Sequence, residues 1–98
     1  MESSEKMLNT IYGAIDDYNM DMPPSDQLDK SPDTILFADG GKLDSVGFIT
    51  MSTAIEARMQ KDLGVVLPVF TQEASLRPDK PLATVRSLAL YLAQKIGS

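Results

Sequence analysis

The stretch Gly40-Gly41-Lys42-Leu43-Asp44-Ser45-Val46 holds the residue types and spacing that could do chemistry: a glycine pair, a capping acid and a hydroxyl directly after it. Paired glycines permit a tight, left-handed turn. Aspartate is a preferred N-cap, because its side chain accepts from the first free amides of a helix. A helix is therefore expected to begin at Ser45, with the serine hydroxyl in its first turn. Taken alone, Asp44-Ser45 is a cap followed by a polar first-turn residue and says no more. Asp39 and Asp44 are also weighed as calcium ligands. Five positions apart, with few other oxygen donors nearby, they do not match an EF-hand loop, so no metal site is expected.

What the chain lacks narrows its chemistry further. Among 98 residues there is no Cys and no His. The first absence removes disulfides, thiolate nucleophiles and Cys metal sites. The second removes the commonest general base and transition-metal ligand, and with them any Ser-His-Asp device. No catalytic residue is assigned, and independent enzymatic activity is not expected. A net charge of −5 and a pI near 4.4 argue against nucleic acid or an anionic membrane surface as partner. The charge is uneven: residues 1–50 carry ten acids and three bases, residues 51–98 four acids and six bases. No segment reaches the length of a membrane span and the N-terminus shows no signal pattern, so a cytoplasmic protein without stable membrane insertion is expected.

The elements that must position Ser45 follow from periodicity. Leu8, Ile11, Tyr12, Ile15 and Tyr18 recur at three- and four-residue steps, which predicts a helix from about Ser4 to Tyr18. Asn19 to Asp33, with Pro23, Pro24 and Pro32, reads as a long first loop. Ile35, Leu36 and Phe37 form an apolar island expected to anchor the loop's end. The helix from Ser45 to about Asp62 has Val46, Ile49, Ile55, Met59 and Leu63 as its expected buried side, with Gly64 placed as a C-terminal stop. Val65 to Phe70 has no partner strand and reads as a buried connection. Thr71 caps a short helix through Leu76, and a last helix runs from Ala83 or Thr84 to Ile96, with Val85, Leu88, Leu92 and Ile96 inward. One domain over 1–98 is expected, an all-α, small four-helix bundle of three main helices plus one short helix.

In that frame the motif resembles the Asp-Ser-Leu attachment site of acyl carrier proteins, with Val46 in the Leu position. Gly64-Val65-Val66-Leu67-Pro68 resembles the family's Gly-x-x-(Ile/Leu)-Pro ending of the long second helix. Thr84-Val85-Arg86-Ser87-Leu88 resembles its Thr-Val-x-x-(Leu/Ile) opening of the last helix. The resemblance covers nearly the whole chain and implies a bundle of the acyl-carrier type. It implies a 4'-phosphopantetheine arm, covalently attached from coenzyme A to Ser45, with Asp44 as motif residue and N-cap. Ser45 would then sit where free amides and the helix dipole favour a phosphodiester anion.

The implied partners are a phosphopantetheinyl transferase, acyl-loading or adenylating enzymes and acyltransferases, meeting a monomeric carrier. The family's second helix is usually acidic. Here residues 45–63 balance Glu56 and Asp62 with Arg58 and Lys61, and Gly47, Thr50 and Ala57 stand where acids are frequent. The chain therefore looks more like a dedicated carrier of a bacterial lipid, cell-surface polysaccharide, lipopolysaccharide or secondary-metabolite pathway. Its partners are expected to lean on Val46, Gly47, Phe48 and Met51. Two other readings stay open: an aminoacyl or peptidyl carrier, and a helical adaptor without a prosthetic group.

Overall fold

The first helix, α1, spans Glu2–Met20 in the computed structural model, which describes residues 2–38 and 40–96. It buries Met7, Thr10, Ile11, Ala14, Ile15 and Tyr18 on one side, steps that keep a single face against its neighbours. Leu8 and Tyr12, expected as members of this stripe, are only half-buried at its edge. Three more helices follow: α2 (Ser45–Leu63), α3 (Gln72–Leu76) and α4 (Val85–Lys95). Among the described residues there is no strand, and the architecture is a small all-α bundle in which α1 packs against both α2 and α4.

Caps set the helix ends as local chemistry requires. Asp44, Thr71 and Thr84 each take extended backbone and accept an amide of the following turn. Thr84 and Ser87 form a reciprocal capping box, and Ser87 also donates to the Pro81 carbonyl. Gly64 closes α2 with φ +67°, a conformation glycine adopts without strain.

The inward face of α2 is Met51, Ser52, Ile55 and Met59, with Gly47 at its start. This corrects the expected register. Val46 and Ile49 are 69% and 65% exposed. The physical reason is a rotation: Met51, Ile55 and Met59 lie at i, i+4 and i+8, and holding them inward turns Val46 and Ile49 out. The 65–70 connection is likewise less buried than expected, since Val69 is enclosed while Val66 and Phe70 are exposed. The Val69 amide donates to Glu56 Oε2 at 3.1 Å, fastening that connection to α2.

Three further ties hold the frame. The Arg58 guanidinium of α2 grips both Asp17 oxygens of α1 at 2.7 and 3.0 Å. A Cβ at Gly13 would lie 3.1 Å from Arg58 Cζ, so the glycine opens the seat this side chain occupies. Asn19 brackets the first loop, donating to the Leu28 carbonyl and accepting from the Leu28 amide at 2.9 and 2.8 Å. Finally, residues 32–37 run antiparallel to 82–86: Leu36 N–H donates to the Ala83 carbonyl at 2.7 Å and Val85 N–H to the Thr34 carbonyl at 3.0 Å. This last tie joins the lead-in of α2 to the start of α4.

Candidate functional site

Ser45 is the first residue of α2 and its side chain is exposed. Behind it, Asp44 Oδ1 accepts from the Gly47 amide at 2.8 Å, and the Asp44 carbonyl accepts from Phe48 N–H at 2.8 Å. The first bond satisfies one of the four amides that a helix start leaves open, and the second is the first hydrogen bond of the helix itself. The amides of Ser45 and Val46 and the Ser45 hydroxyl make no hydrogen bond to the described residues. The local arrangement is a rigid cap below an unengaged hydroxyl and two unengaged N–H groups, a setting that favours a bound anion.

The lead-in is shaped by close approach. Gly40 has φ +90°, and a Cβ on Gly41 would come within 3.0 Å of Ile35 Cγ2 and 3.2 Å of the Ile35 carbonyl. The glycine turn therefore folds directly onto the apolar island. Lys42 Nζ donates to the Gln27 carbonyl at 3.0 Å, tying the turn to the first loop. Asp39, weighed above as a calcium ligand, lies outside the described residues. Among the described residues no group of three or more Asp or Glu side chains is placed to hold a metal ion.

The four residues expected to meet partners divide. Val46 is exposed, and Phe48 is half-buried. Met51 is fully enclosed in the core, and Gly47 is buried. A Cβ on Gly47 would lie 3.0 Å from Leu43 Cδ2 and 3.3 Å from Asp44 Oδ1. That glycine makes room for the cap and for Leu43, rather than for an approaching enzyme. Ile49 takes the place of Met51 on the outer surface, a residue that its apolar character had assigned to the core.

The first turn of α2 separates two clefts. On the α3 side, Phe37, Phe48 and Phe70 pack together with ring centroids 4.9–6.2 Å apart, lining a cleft of about 270 Å³. Such edge and offset ring pairs are favourable geometries. No periodicity groups these rings, which come from a loop, a helix and a connection. On the α1 side a cleft of about 200 Å³ lies among Tyr18, Met22, Asp26, Lys42, Asp44 and Val46. Burial pushes the Tyr18 hydroxyl above its ordinary pKa, and the negative charges of Asp44 and Asp26 push it the same way. No described helix is long and apolar enough to cross a membrane. In comparisons with known proteins, no family model, no curated protein and no solved structure matches the chain.

Proposed function

We propose that this protein is a carrier that holds acyl intermediates as thioesters on a 4'-phosphopantetheine arm attached to Ser45. The observation that carries the reading is the exposed, unengaged Ser45 hydroxyl at the start of α2, behind the Asp44 cap. The motif and the order of the elements resemble acyl carrier proteins from the first helix to the last. The residues present fit the group: Ser45 Oγ would bear the phosphodiester, and the free amides of Ser45 and Val46 offer donors for its charge. The arm supplies what a chain without cysteine lacks, a thiol on which cargo is held.

In this reading the protein is acted upon rather than acting. Asp44 holds the helix start still, so that a transferase meets the hydroxyl in one orientation. The outward positions of the first turns of α2 are uncharged: Val46, Ile49, Thr50, Thr53 and Ala57. Arg58 is turned to Asp17, leaving Lys61 and Asp62 near the far end. A face of this kind favours enzymes that dock through apolar contact over enzymes steered by an acidic helix. It supports a carrier dedicated to its own pathway.

Intact mass after co-expression with a broad-specificity phosphopantetheinyl transferase tests the reading. Wild-type protein is expected to gain one phosphopantetheinyl group, and Ser45→Ala none. An unmodified wild type, or a modified Ser45→Ala, refutes the assignment. The unmodified result would favour a helical adaptor, for which Asp44-Ser45 is only a cap.

A further inference from the structure

The cleft on the α3 side of α2 is apolar on its wall and charged at its rim. The wall is Phe37, Phe48 and Phe70, with Ala74 of α3 and Leu82 beside them. Phe48 follows Ser45 by three residues, and residues so spaced share a helix face, so the cleft opens on the side of α2 that carries the serine. Lys80 is the one charged residue among the described residues that line it. The other bases around α3 are engaged, Arg77 with Asp79 at 2.6 Å and Lys95 with Glu73 at 2.8 Å. The exposed Lys80 ammonium makes no ion pair or hydrogen bond to the described residues. Its backbone is held from both sides: Lys80 N–H donates to the Arg77 carbonyl at 3.2 Å, and Ala83 N–H to the Lys80 carbonyl at 3.1 Å. Between these bonds Lys80 takes φ +48°, a left-handed conformation that a residue with a side chain seldom adopts. The turn therefore gives a fixed root to an unpaired cation beside an aromatic wall, in a chain of net charge −5.

Such a site complements an occupant with an apolar body and an anionic end. The volume of about 270 Å³ lies just under the range of small-molecule sites, which suits a short group over a long hydrocarbon chain. A single methylene would leave most of the three rings uncovered, so the body has to be longer than that. We propose that the cleft selects cargo of one class, a short apolar acyl group whose far end is a carboxylate, with Lys80 as the specificity-determining residue. The inference rests on the carrier reading: one end of the cargo is the thioester on the arm of Ser45, and the other is the carboxylate that meets Lys80. An uncharged chain of the same length would cover the rings and leave the cation unpaired.

The experiment charges the full-length protein with a broad-specificity transferase, using coenzyme A, hexanoyl-coenzyme A or adipyl-coenzyme A, and verifies each product by intact mass. The two cargoes are equally long and differ in the terminal carboxylate. In the adipyl form the Phe37, Phe48 and Phe70 ring resonances should shift, with nuclear Overhauser contacts from the cargo methylenes to those rings. Its thioester should react with hydroxylamine about two- to fivefold more slowly than the hexanoyl one, the scale of a partly solvated ion pair. High salt should narrow that gap. Lys80→Gln should abolish the difference and Lys80→Arg should keep it. Should Lys80→Gln fold poorly, Lys80→Gly removes the charge at a position whose backbone glycine adopts freely. Equal rates and equal shifts for the two cargoes on correctly modified wild type overturn the cargo class and leave the carrier reading standing. A difference that survives in the uncharged variants overturns the role of Lys80. Ring shifts already complete in the uncharged-arm protein and unchanged by cargo overturn the proposal in favour of the arm's phosphate as the anion near Lys80. Absence of any mass gain removes both readings.

Discussion

Ile49 and Ile55 are the same residue type on the same helix, six positions apart, and the molecule treats them oppositely. Ile55 is fully enclosed between Met51 and Met59, while Ile49 is 65% exposed beside Val46. The inward face of α2 is held by shape, through packing against α1. The outward face keeps large apolar side chains in water without a structural use inside the chain. The difference teaches that apolar character on α2 has two separate causes, stability on one side and, in the carrier reading, contact with enzymes on the other.

The largest effect should come from the inward face. Ile55→Ala leaves a cavity in close-packed surroundings and is expected to cost about 2–5 kcal/mol, measured by urea unfolding. A loss near that of a surface residue would break the contrast. The second concerns the cap on which both faces depend. Asp44→Ala should lower stability by about 0.5–2 kcal/mol and also slow modification of Ser45; an unchanged melting temperature with an unchanged modification rate would free Asp44 from both roles.

A smaller effect is expected at the flank, where Arg58 grips Asp17. The hydrogen bond from Arg58 holds the Asp17 carboxyl below its ordinary pKa. A folded value below the unfolded one means the pair contributes stability above about pH 4 and loses it as pH falls through the folded value. Both side chains are partly solvated, which screens the interaction. Asp17→Asn should therefore melt slightly lower than wild type at neutral pH, and the two curves should converge in acid. A gap that persists at low pH would assign the loss to packing instead of charge.

The outward face should barely register in unfolding. Ile49→Gln is expected to change stability by no more than about 0.5 kcal/mol, yet, in the carrier reading, to slow loading of the arm by a partner enzyme. Loading by a general malonyl transferase should be slow beside that of an ordinary fatty-acid carrier, with a flat response to salt. Equal rates with the same steep salt dependence would erase the distinction between the two faces.

What could be read from the chain was local. Asp44 and Thr71 as caps and Gly64 as a stop depend on neighbours within four residues, and each stands where its chemistry predicts; Thr84, expected at the start of the last helix, is its cap. The register of α2 was ambiguous because Val46 and Ile49 satisfy the three-residue step of an apolar face as well as Met51, Ile55 and Met59 satisfy the four-residue one. Only the partner helix decides between them. The Arg58–Asp17 grip, the phenylalanine trio and the Tyr18 cleft join segments far apart in the chain, and no periodicity announces them. At the candidate site, the start of the helix and the exposure of its serine were legible. The burial of Gly47 and Met51 was not, since it depends on Leu43 folding back and on the rotation of α2.

The antiparallel tie between residues 32–37 and 82–86 sets an order of events. Its hydrogen bonds close a loop of roughly fifty residues that contains all of α2 and α3. Long loops close late, because their entropy is lost before their contacts form. The turn that presents Ser45 thus reaches its final setting only when the start of α4 has come home. A transferase that reads the shape of this turn would act on the finished molecule in preference to a growing chain. In hydrogen exchange, the Leu36 and Val85 amides should open together, and their opening should loosen the helix start on which Ser45 stands.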